Sequence, residues 1–589
     1  MKTKALLWGA SRNAFCAVLT ICACAFSSQQ GHAAPTAESL RQQEQIVRGE
    51  EERQRQLERQ HKEMLERQPQ QIDITQPKTP EAPVDDSVCV QIDTITLKGA
   101  ALLSESAKAR LIKPYAGRCL SMRHINELIR DITNFYVAEG YVTARAYVAP
   151  QDLSRRTLEI TIVEGTVEGI QLNEGTPADQ RRVSSAFPGM TARPLNLRDI
   201  EQGLDQLNRL PSSNAKMEIV PGAEPGASRI VVTDQQAKTW RVRTSVDNSG
   251  QKSTGVNQYT VSLDKDNLIG FNDLLTFNWS ADADTLVNFK RHQGESSSFY
   301  YSVPLGYWTV TGSASFFDYH TQLEGSGVEY RSTGNTTNYT LDVSRVLRRD
   351  ADGKTTGGVS FTTKKINNFL EGERLKASSY DLSILKSSLD HNQRLLGGVF
   401  NIGVEYNLGL PVLDAPKDKT SQLTTPKHEF YKLIFSGGYT RPFDVLEHEF
   451  TFSTRAQAQW TPDTLYNSER LNLGSRYTVR GFQQDSLSGD SGGYVRNELS
   501  SSILPKDKRP EWLTKTIGDP QAYLGYDAGF IHRDETDAYE RGTLQGLALG
   551  LRASAEHFGT DLCLSRPLDA PSFMKKRNWQ IDWMFSFKI

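Results

Sequence analysis

The sequence predicts a transmembrane β-barrel of about 16 antiparallel strands, preceded by a polar helix and two small α+β modules. Three observations lead there. Alternation of apolar and polar residues with period two runs from Ala237 to Ile589, an export leader stands at the start, and the 589-residue chain is too polar for a bundle of membrane helices. Only 38% of its residues are hydrophobic, and the mean hydropathy is −0.50. Lys+Arg (68) and Asp+Glu (70) nearly cancel, so no global field favours nucleic acid or an acidic partner.

The leader comes first. Lys2, Lys4 and Arg12 flank or precede an apolar run from Ala14 to Phe26, and Gly31-His32-Ala33-Ala34-Pro35 follows. A positive start, a short apolar core and a small residue for cleavage make residues 1–33 a secretory signal peptide, with a mature start near Ala34. The run falls short of the roughly 20 apolar residues that span a bilayer. A rival reading takes Cys24 as a lipidated terminus, because Ile21-Cys22-Ala23-Cys24 loosely resembles a lipobox. Cleavage removes Cys16, Cys22 and Cys24 and leaves Cys89, Cys119 and Cys563. In an oxidising compartment Cys89 and Cys119 can pair across a short loop, a staple worth about 3–4 kcal/mol in the chain-entropy picture. Cys563 has no CxxC partner and reads as a small strand residue.

Residues 34–68 form a polar helix, rich in Gln, Glu and Arg from Thr36 to Gln68 and without proline. It lacks a wide apolar stripe, so it belongs either in solvent or in a wet, polar cavity. Residues 69–86 carry Pro69, Pro77, Pro80 and Pro83, an extended tether. The first module, 87–165, opens on a strand marked by Val90, Ile92, Ile95 and Leu97. Ser121 then caps a helix with Ile125, Leu128, Ile129, Ile132, Phe135 and Tyr136 at helical spacing, and two β-rich stretches, Tyr141 to Val148 and Thr157 to Val163, follow. The second module, 166–237, repeats the order more briefly: Val167 to Leu172, a helix opened by Asn196, then Lys216 to Val220 and Arg229 to Thr233. A single α+β domain with accidental symmetry is the alternative.

The barrel takes 238–589. Leu275, Phe277 and Trp279 alternate with Thr276 and Asn278, and the last strand sets Trp579, Ile581, Trp583, Phe585, Phe587 and Ile589 against Gln580, Asp582, Ser586 and Lys588. One greasy and one wet face suit a closed sheet in lipid, because hydrocarbon cannot satisfy an open sheet edge. A soluble sandwich would alternate likewise; the leader and the aromatic-rich final strand favour the barrel. The length also allows 14 or 18 strands. In the strand from Gln521 to Phe530, Ala522, Leu524, Tyr526, Ala528 and Phe530 face lipid, so Asp527 points inward, with Gly525 and Gly529 clearing space around it. A long loop, 461–491, carries Arg480. The roughly ten residues on its shorter side reach about 33 Å when extended, comparable with the hydrocarbon thickness of about 30 Å.

Val479-Arg480-Gly481-Phe482 in that loop, Gly525-Tyr526-Asp527-Ala528-Gly529 in the strand, and Asp247-Asn248-Ser249-Gly250 with Thr254-Gly255 early in the barrel resemble motifs of the TpsB transporters of two-partner secretion, in the haemolysin, adhesin and contact-dependent-inhibition branch. The resemblance covers the whole mature chain. It implies an outer-membrane exporter with two periplasmic POTRA-like domains and a helix that plugs the barrel at rest. It also implies that Arg480 pairs with Asp527, the loop folded inward and fixed there by a bidentate contact. The bland reading makes Arg480 a solvated loop charge and Asp527 one more lumenal carboxylate. Taking the lumen as wet, loss of either partner is expected to damage secretion more than folding.

The implied partners are one large secreted exoprotein of the TpsA type with an N-terminal secretion domain, outer-membrane lipid, and the barrel-assembly machinery for insertion. Substrate capture is expected by strand addition. Its expected surfaces are Tyr141 to Val148 (Tyr141, Val142, Thr143, Ala144, Arg145, Tyr147) beside the helix Ser121 to Glu139, and Lys216 to Val220 (Lys216, Glu218) beside Asn196 to Arg209. A barrel-assembly insertase and a passive porin are the alternatives. No enzyme, cofactor or metal site is expected: the stretch Asn248 to Gly255 lacks phosphate-loop spacing, no GxSxG occurs, and His124, His320, His428, His448 and His557 do not stand at ligand spacing. Two features fit poorly, the long turn from Pro505 to Pro520 and the terminal Ile589 in place of Phe.

Overall fold

A computed structural model of the chain describes residues 37–65, 88–173, 176–283, 293–324, 329–419, 425–445, 448–483, 485–504, 509–532, 541–574 and 578–589. The leader expected over 1–33 and the tether over 69–86 lie outside these residues. Helix α1 (Ala37–Leu65) is followed by two mixed modules and one closed sheet.

In the first module the stretch expected as one strand is two, β1 (Cys89–Ile92) and β2 (Thr94–Lys98), broken at Asp93. The break lets the two halves pair with different partners. β1 runs antiparallel to β3 (Arg118–Ser121), and β2 runs parallel to β5 (Thr157–Val163), which also pairs with β4 (Arg145–Tyr147). Between β2 and β3 stands α2 (Glu105–Ile112), whose Ser104 hydroxyl accepts from the Ala107 amide at 3.3 Å; its weak apolar periodicity hid it. α3 (Met122–Ala138) buries Ile125, Leu128, Ile132 and Tyr136, the stripe that its spacing predicts. Cys89 and Cys119 are joined in a disulfide with Cα atoms 5.4 Å apart, tying β1 to β3.

The edge expected over Tyr141 to Val148 is mostly absent: only Arg145–Tyr147 forms a strand. Gly140 has φ +94°; the Tyr141 amide donates back to the Tyr136 carbonyl of α3, and those of Val142 and Ala144 donate to Gly140 and Tyr141 within the turn. Val142 and Ala144 are buried. Val142 belongs to the core of the second module, against Val167, Leu195 and Leu204, so these residues join the modules instead of offering a free edge.

The second module contains β6 (Thr166–Leu172), α4 (Pro177–Ala186), α5 (Leu197–Asn208), β7 (Ala215–Pro221) and β8 (Ala227–Asp234), with sheet order β6-β8-β7. α4 escaped the periodicity reading, although Thr176 and Asp179 form a capping box at its start. Burial opposes the charge on Asp179, but donors from Thr176, Gln236 and Arg182 hold its carboxyl below the usual range.

The barrel is a closed sheet of 16 antiparallel strands, from Trp240–Asp247 to Gln580–Lys588. Strand Gln580–Lys588 pairs with Trp240–Asp247, and Ile589 continues the seam: it and Val242 exchange backbone hydrogen bonds of 2.9 and 3.1 Å. Thr276, Asn278 and Ser280 are buried inward, whereas Leu524, Tyr526 and Phe530 lie about half exposed on the outside, as lipid requires. The long turn after Ser502 holds a short helix, α6 (Glu511–Thr516).

The barrel meets the second module through buried polar contacts. Arg349, at the end of strand Glu329–Arg349, is nearly inaccessible and binds Asp205 at 2.6 Å and Glu201 at 3.3 Å, both on α5. Gln202 and Gln206 donate to the Gly306 carbonyl, and Tyr307 donates to Asp199 at 2.6 Å. Arg182 of α4 donates to Asn272 and pairs with Asp234 at 2.8 Å. The helix expected to border an open groove therefore turns one face onto the barrel, where Glu201, Gln202 and Gln206 are buried.

Two outcomes are expected. Cys89→Ser with Cys119→Ser lowers the stability of the first module by about 3–4 kcal/mol, read as a lower urea midpoint for its proteolysis in the intact protein. Arg349→Ala leaves Asp205 without its arginine and Glu201 with Arg198 alone, at a cost of about 3 kcal/mol, read as faster proteolysis at the module–barrel junction while the barrel keeps its heat-dependent gel mobility.

Candidate functional site

α1 lies inside the barrel. At 1.5 Å per residue its 29 residues extend about 44 Å, more than the hydrocarbon thickness of about 30 Å. Polar side chains reach the wall on several sides: Gln43 to Ser332 (3.0 Å), Arg53 to Thr260 (2.8 Å), Arg59 to Gln457 (2.9 Å) and Lys62 to Asp390 (2.8 Å). The Gln, Glu and Arg content that cannot make an ordinary core is what a lumen of hydroxyls, amides and charges accepts. The helix is not held by polar contacts alone. Ile46 and Val47 are buried at the end away from the modules, against Phe317, Tyr319, Ile366, Tyr380, Leu382 and Leu465.

The loop 461–491 enters the same lumen. Its short helical turn Asn467–Glu469 brings Glu469 to Lys432 at 2.6 Å and to Lys364 at 3.0 Å, and Lys364 also binds Glu51 of α1 at 2.7 Å. Arg55 donates to the Ser468 carbonyl. Helix, loop and wall thus share one set of buried charges, in which each carboxylate has a cation. Asn467 further donates to the Glu44 carbonyl at 3.0 Å.

Farther along the loop, paired strands Leu471–Leu473 and Leu487–Gly489 hold the Val479-Arg480-Gly481-Phe482 tip against the wall. Arg480 donates from Nε to Asp527 Oδ2 at 2.7 Å, from Nη2 to Oδ1 at 2.8 Å and from its own amide to Oδ2 at 3.1 Å. Its Nη1 donates to Glu498 at 3.1 Å. A side chain at Gly525 would collide with the guanidinium, and one at Gly546 with the Arg480 carbonyl. Gly481 has φ +96°, and a Cβ there would meet the Arg566–Pro567 backbone at 2.9 Å. Gly529 faces Leu473, Val479 and Tyr494.

The expectation of a wet pair is corrected here. Arg480 is 3% and Asp527 0% exposed, because Leu471, Leu473, Val479, Phe482, Leu487, Tyr494, Ile531 and Leu544 cluster around the tip. The loop brings its own apolar cover, so the pair is desolvated and the five hydrogen bonds that Arg480 donates, the fifth to the Asn497 carbonyl, are required. Glu498 and Arg496 escaped the sequence reading. Alternation in strand Gly492–Ser502, with Val495 and Leu499 on the other face, turns both inward, but only the register Arg496↔Asp527 and Glu498↔Gly525 brings them to the tip.

The first hairpin, 248–257, touches the same loop: Gln483 donates to the Asn248 carbonyl, and Asn248 bridges the Ile581 carbonyl and the Trp583 amide. Of the capture residues, Lys216 and Glu218 are exposed on β7, an edge of its sheet. Arg145 and Tyr147 are exposed on the short β4, while Tyr141 to Ala144 are not in a strand.

Removing one partner of the enclosed pair is expected to cost about 3–5 kcal/mol. Arg480→Ala, and Gly525→Ala by displacing the guanidinium, open the loop 461–491 to external protease without unfolding the barrel. Arg480→Lys does not restore protection, since an ammonium cannot match both carboxylate oxygens in one plane.

Comparison with known proteins bears on the whole arrangement. The family model for haemolysin secretion/activation protein ShlB/FhaC/HecB matches residues 226–553, a ShlB-type POTRA domain matches 90–165, and a further POTRA domain matches 166–221. The outer membrane transporter CdiB of Escherichia coli is 34% identical over 570 residues, 96% of this chain and 92% of the relative. The hemolysin transporter protein ShlB of Serratia marcescens is 32% identical over 484 residues, 78% of this chain and 84% of the relative. The solved structure of CdiB from Escherichia coli aligns with a TM-score of 0.81 at 31% identity, over 95% of this chain and 100% of that one. CdiB from Acinetobacter baumannii, at 24% identity and a TM-score of 0.75, shares the fold. The chain belongs to the ShlB/FhaC/HecB family of haemolysin secretion/activation proteins.

Proposed function

We propose that the protein is the outer-membrane transporter of a two-partner secretion system: it takes one large exoprotein from the periplasm and passes it unfolded through the barrel to the cell surface. The observation that carries this reading is the removable character of α1. A lumen that houses a helix about 10 Å across has room for an extended chain, and most of what holds the helix is hydrogen bonds and ion pairs that an incoming polar backbone can replace.

Capture begins at the POTRA domains by strand addition, in which main-chain pairing gives affinity and side-chain pockets choose the partner. β7, with Lys216 and Glu218 outward, is the better edge of the two expected, and β4, with Arg145 and Tyr147, is too short to template more than a few residues. Arg480, Asp527 and the glycines around them keep the loop 461–491 folded back while chain passes. No nucleotide is at hand in the periplasm, and folding of the exoprotein outside supplies the drive. The outward Leu, Tyr and Phe side chains meet outer-membrane lipid, and insertion uses the barrel-assembly machinery. An insertase reading is disfavoured by the close relation to transporters and by α1, whose charges match the lumen.

In cells lacking the protein, one very large exoprotein is expected to disappear from the surface while other barrel proteins keep their levels, measured by quantitative proteomics of outer membrane and medium. Loss of many barrel proteins at once would mean an insertase, and an unchanged surface would mean a porin. Ile219→Pro, whose amide points away from β8 and which therefore blunts the outer edge of β7, reduces the exported amount roughly fivefold, the equivalent of about one lost backbone hydrogen bond, at unchanged transporter abundance.

A further inference from the structure

The lumen is chemically uneven along its axis. Toward the modules its wall carries hydroxyls such as Thr309, Thr311, Thr340 and Ser388 among the charges of Lys354 and Asp390. Farther out, the same strands change character: Ser315 on strand Trp308–Glu324 gives way to Phe317 and Tyr319, Lys364 on strand Gly353–Leu370 to Ile366, and Lys386 on strand Tyr380–Leu395 to Ile384, Leu382 and Tyr380. These inward side chains, with Phe430, Leu465 and Tyr466, form one apolar cluster, and Tyr380 stacks on Tyr466 at 4.2 Å between ring centroids. The cluster lies next to the charges of Glu51, Lys364, Lys432 and Glu469. Ile46 and Val47 of α1 insert into it and are 2% and 3% exposed.

Apolar side chains facing a polar channel are costly unless covered. α1 covers them with two adjacent β-branched residues on a mainly polar helix. From this we infer that the cluster is a binding site for aliphatic side chains of the exported chain, and that Ile46 and Val47 occupy it as an internal stand-in. The inference rests on the exporter reading. Once α1 leaves, the patch is exposed near the exit, and spaced Val, Ile or Leu residues of the extended exoprotein take the place of Ile46 and Val47 in turn. Each capture opposes backsliding after a segment has crossed the hydroxyl-lined half. It also gives a reason for the helix to let go, since an aliphatic chain segment competes for the same pocket.

The test uses the full-length protein with Ile46→Ser and Val47→Ser in a planar lipid bilayer, where these changes vacate the patch and weaken the hold on α1. Two soluble synthetic peptides are added on the module side: a Gly/Ser peptide with spaced Ile-Val pairs, and the same peptide with Ser-Thr in their place. The Ile-Val peptide is expected to block current with a dwell time about tenfold or more longer, given about 0.8 kcal/mol per buried methylene. The difference vanishes in Leu382→Ser and, as an independent variant, in Phe317→Ser, each checked for barrel folding by heat-dependent gel mobility. Equal dwell times for the two peptides would overturn the binding site and leave the exporter reading standing, because both chains had entered. Failure of either peptide to enter would overturn both.

Discussion

Hydrocarbon offers no hydrogen bond to a peptide group, so a sheet in a membrane persists only if its last strand finds its first. Here that seam joins Gln580–Lys588 to Trp240–Asp247 and runs on to Ile589, which bonds Val242 in both directions. An Ile at this position makes the same backbone bonds as a Phe would, and the aromatic pattern one turn of the pleat earlier, at Phe587 and Phe585, faces outward. Closure at 16 strands then leaves a lumen too wide for wall side chains to fill. Everything inside the barrel answers that surplus of space.

Two elements fill it, by different physics. α1 brings polar and charged groups that bond the wall, the loop and one another, with the apolar pair Ile46 and Val47 toward its far end. The loop 461–491 brings an apolar cover of its own and hides one guanidinium beneath it. The cluster of Glu51, Lys364, Glu469 and Lys432 lies where the two meet. Removing the helix deprives Lys364 of one of its two carboxylates while Glu469 remains. The loop therefore keeps a partner in the wall whether or not the helix is present, consistent with a loop that stays and a helix that moves. The Arg480 site is fastened to the wall through Asp527 and Glu498, and its enclosure by the loop's own apolar residues makes it the stiffer anchor.

The periplasmic side follows from the same economy of burial. The second module is fastened to the barrel turns by Arg349, Gln202, Gln206, Tyr307 and Arg182, all engaged in buried hydrogen bonds. Val142 of the first module sits in the core of the second. The modules thus form a chain of contacts ending at the lumen mouth, with β7 free along one edge.

Much of this was legible in the residues themselves. Period-two alternation assigned inner and outer faces in the clearest strands and turned Asp527 inward; caps at Ser121 and Asn196 located two helices; and the polar composition of the N-terminal helix left it to solvent or to a wet cavity, between which the tertiary structure decided. The rest depended on contacts between residues far apart in the chain, which local patterns do not encode. Alternation sets the face of Glu498 but not its register, and only the register brings it to Arg480. The turn after Gly140 reads as a strand by composition, yet a positive φ and the pull of the neighbouring core made it a joint. Most of all, a wet lumen is a sound inference from polar wall residues, and it fails at Arg480 because eight apolar side chains, drawn from the loop and from three strands of the wall, converge there to exclude water. Sequence determined which groups point inward; only the tertiary structure decided which of them meet, and how dry the meeting place is.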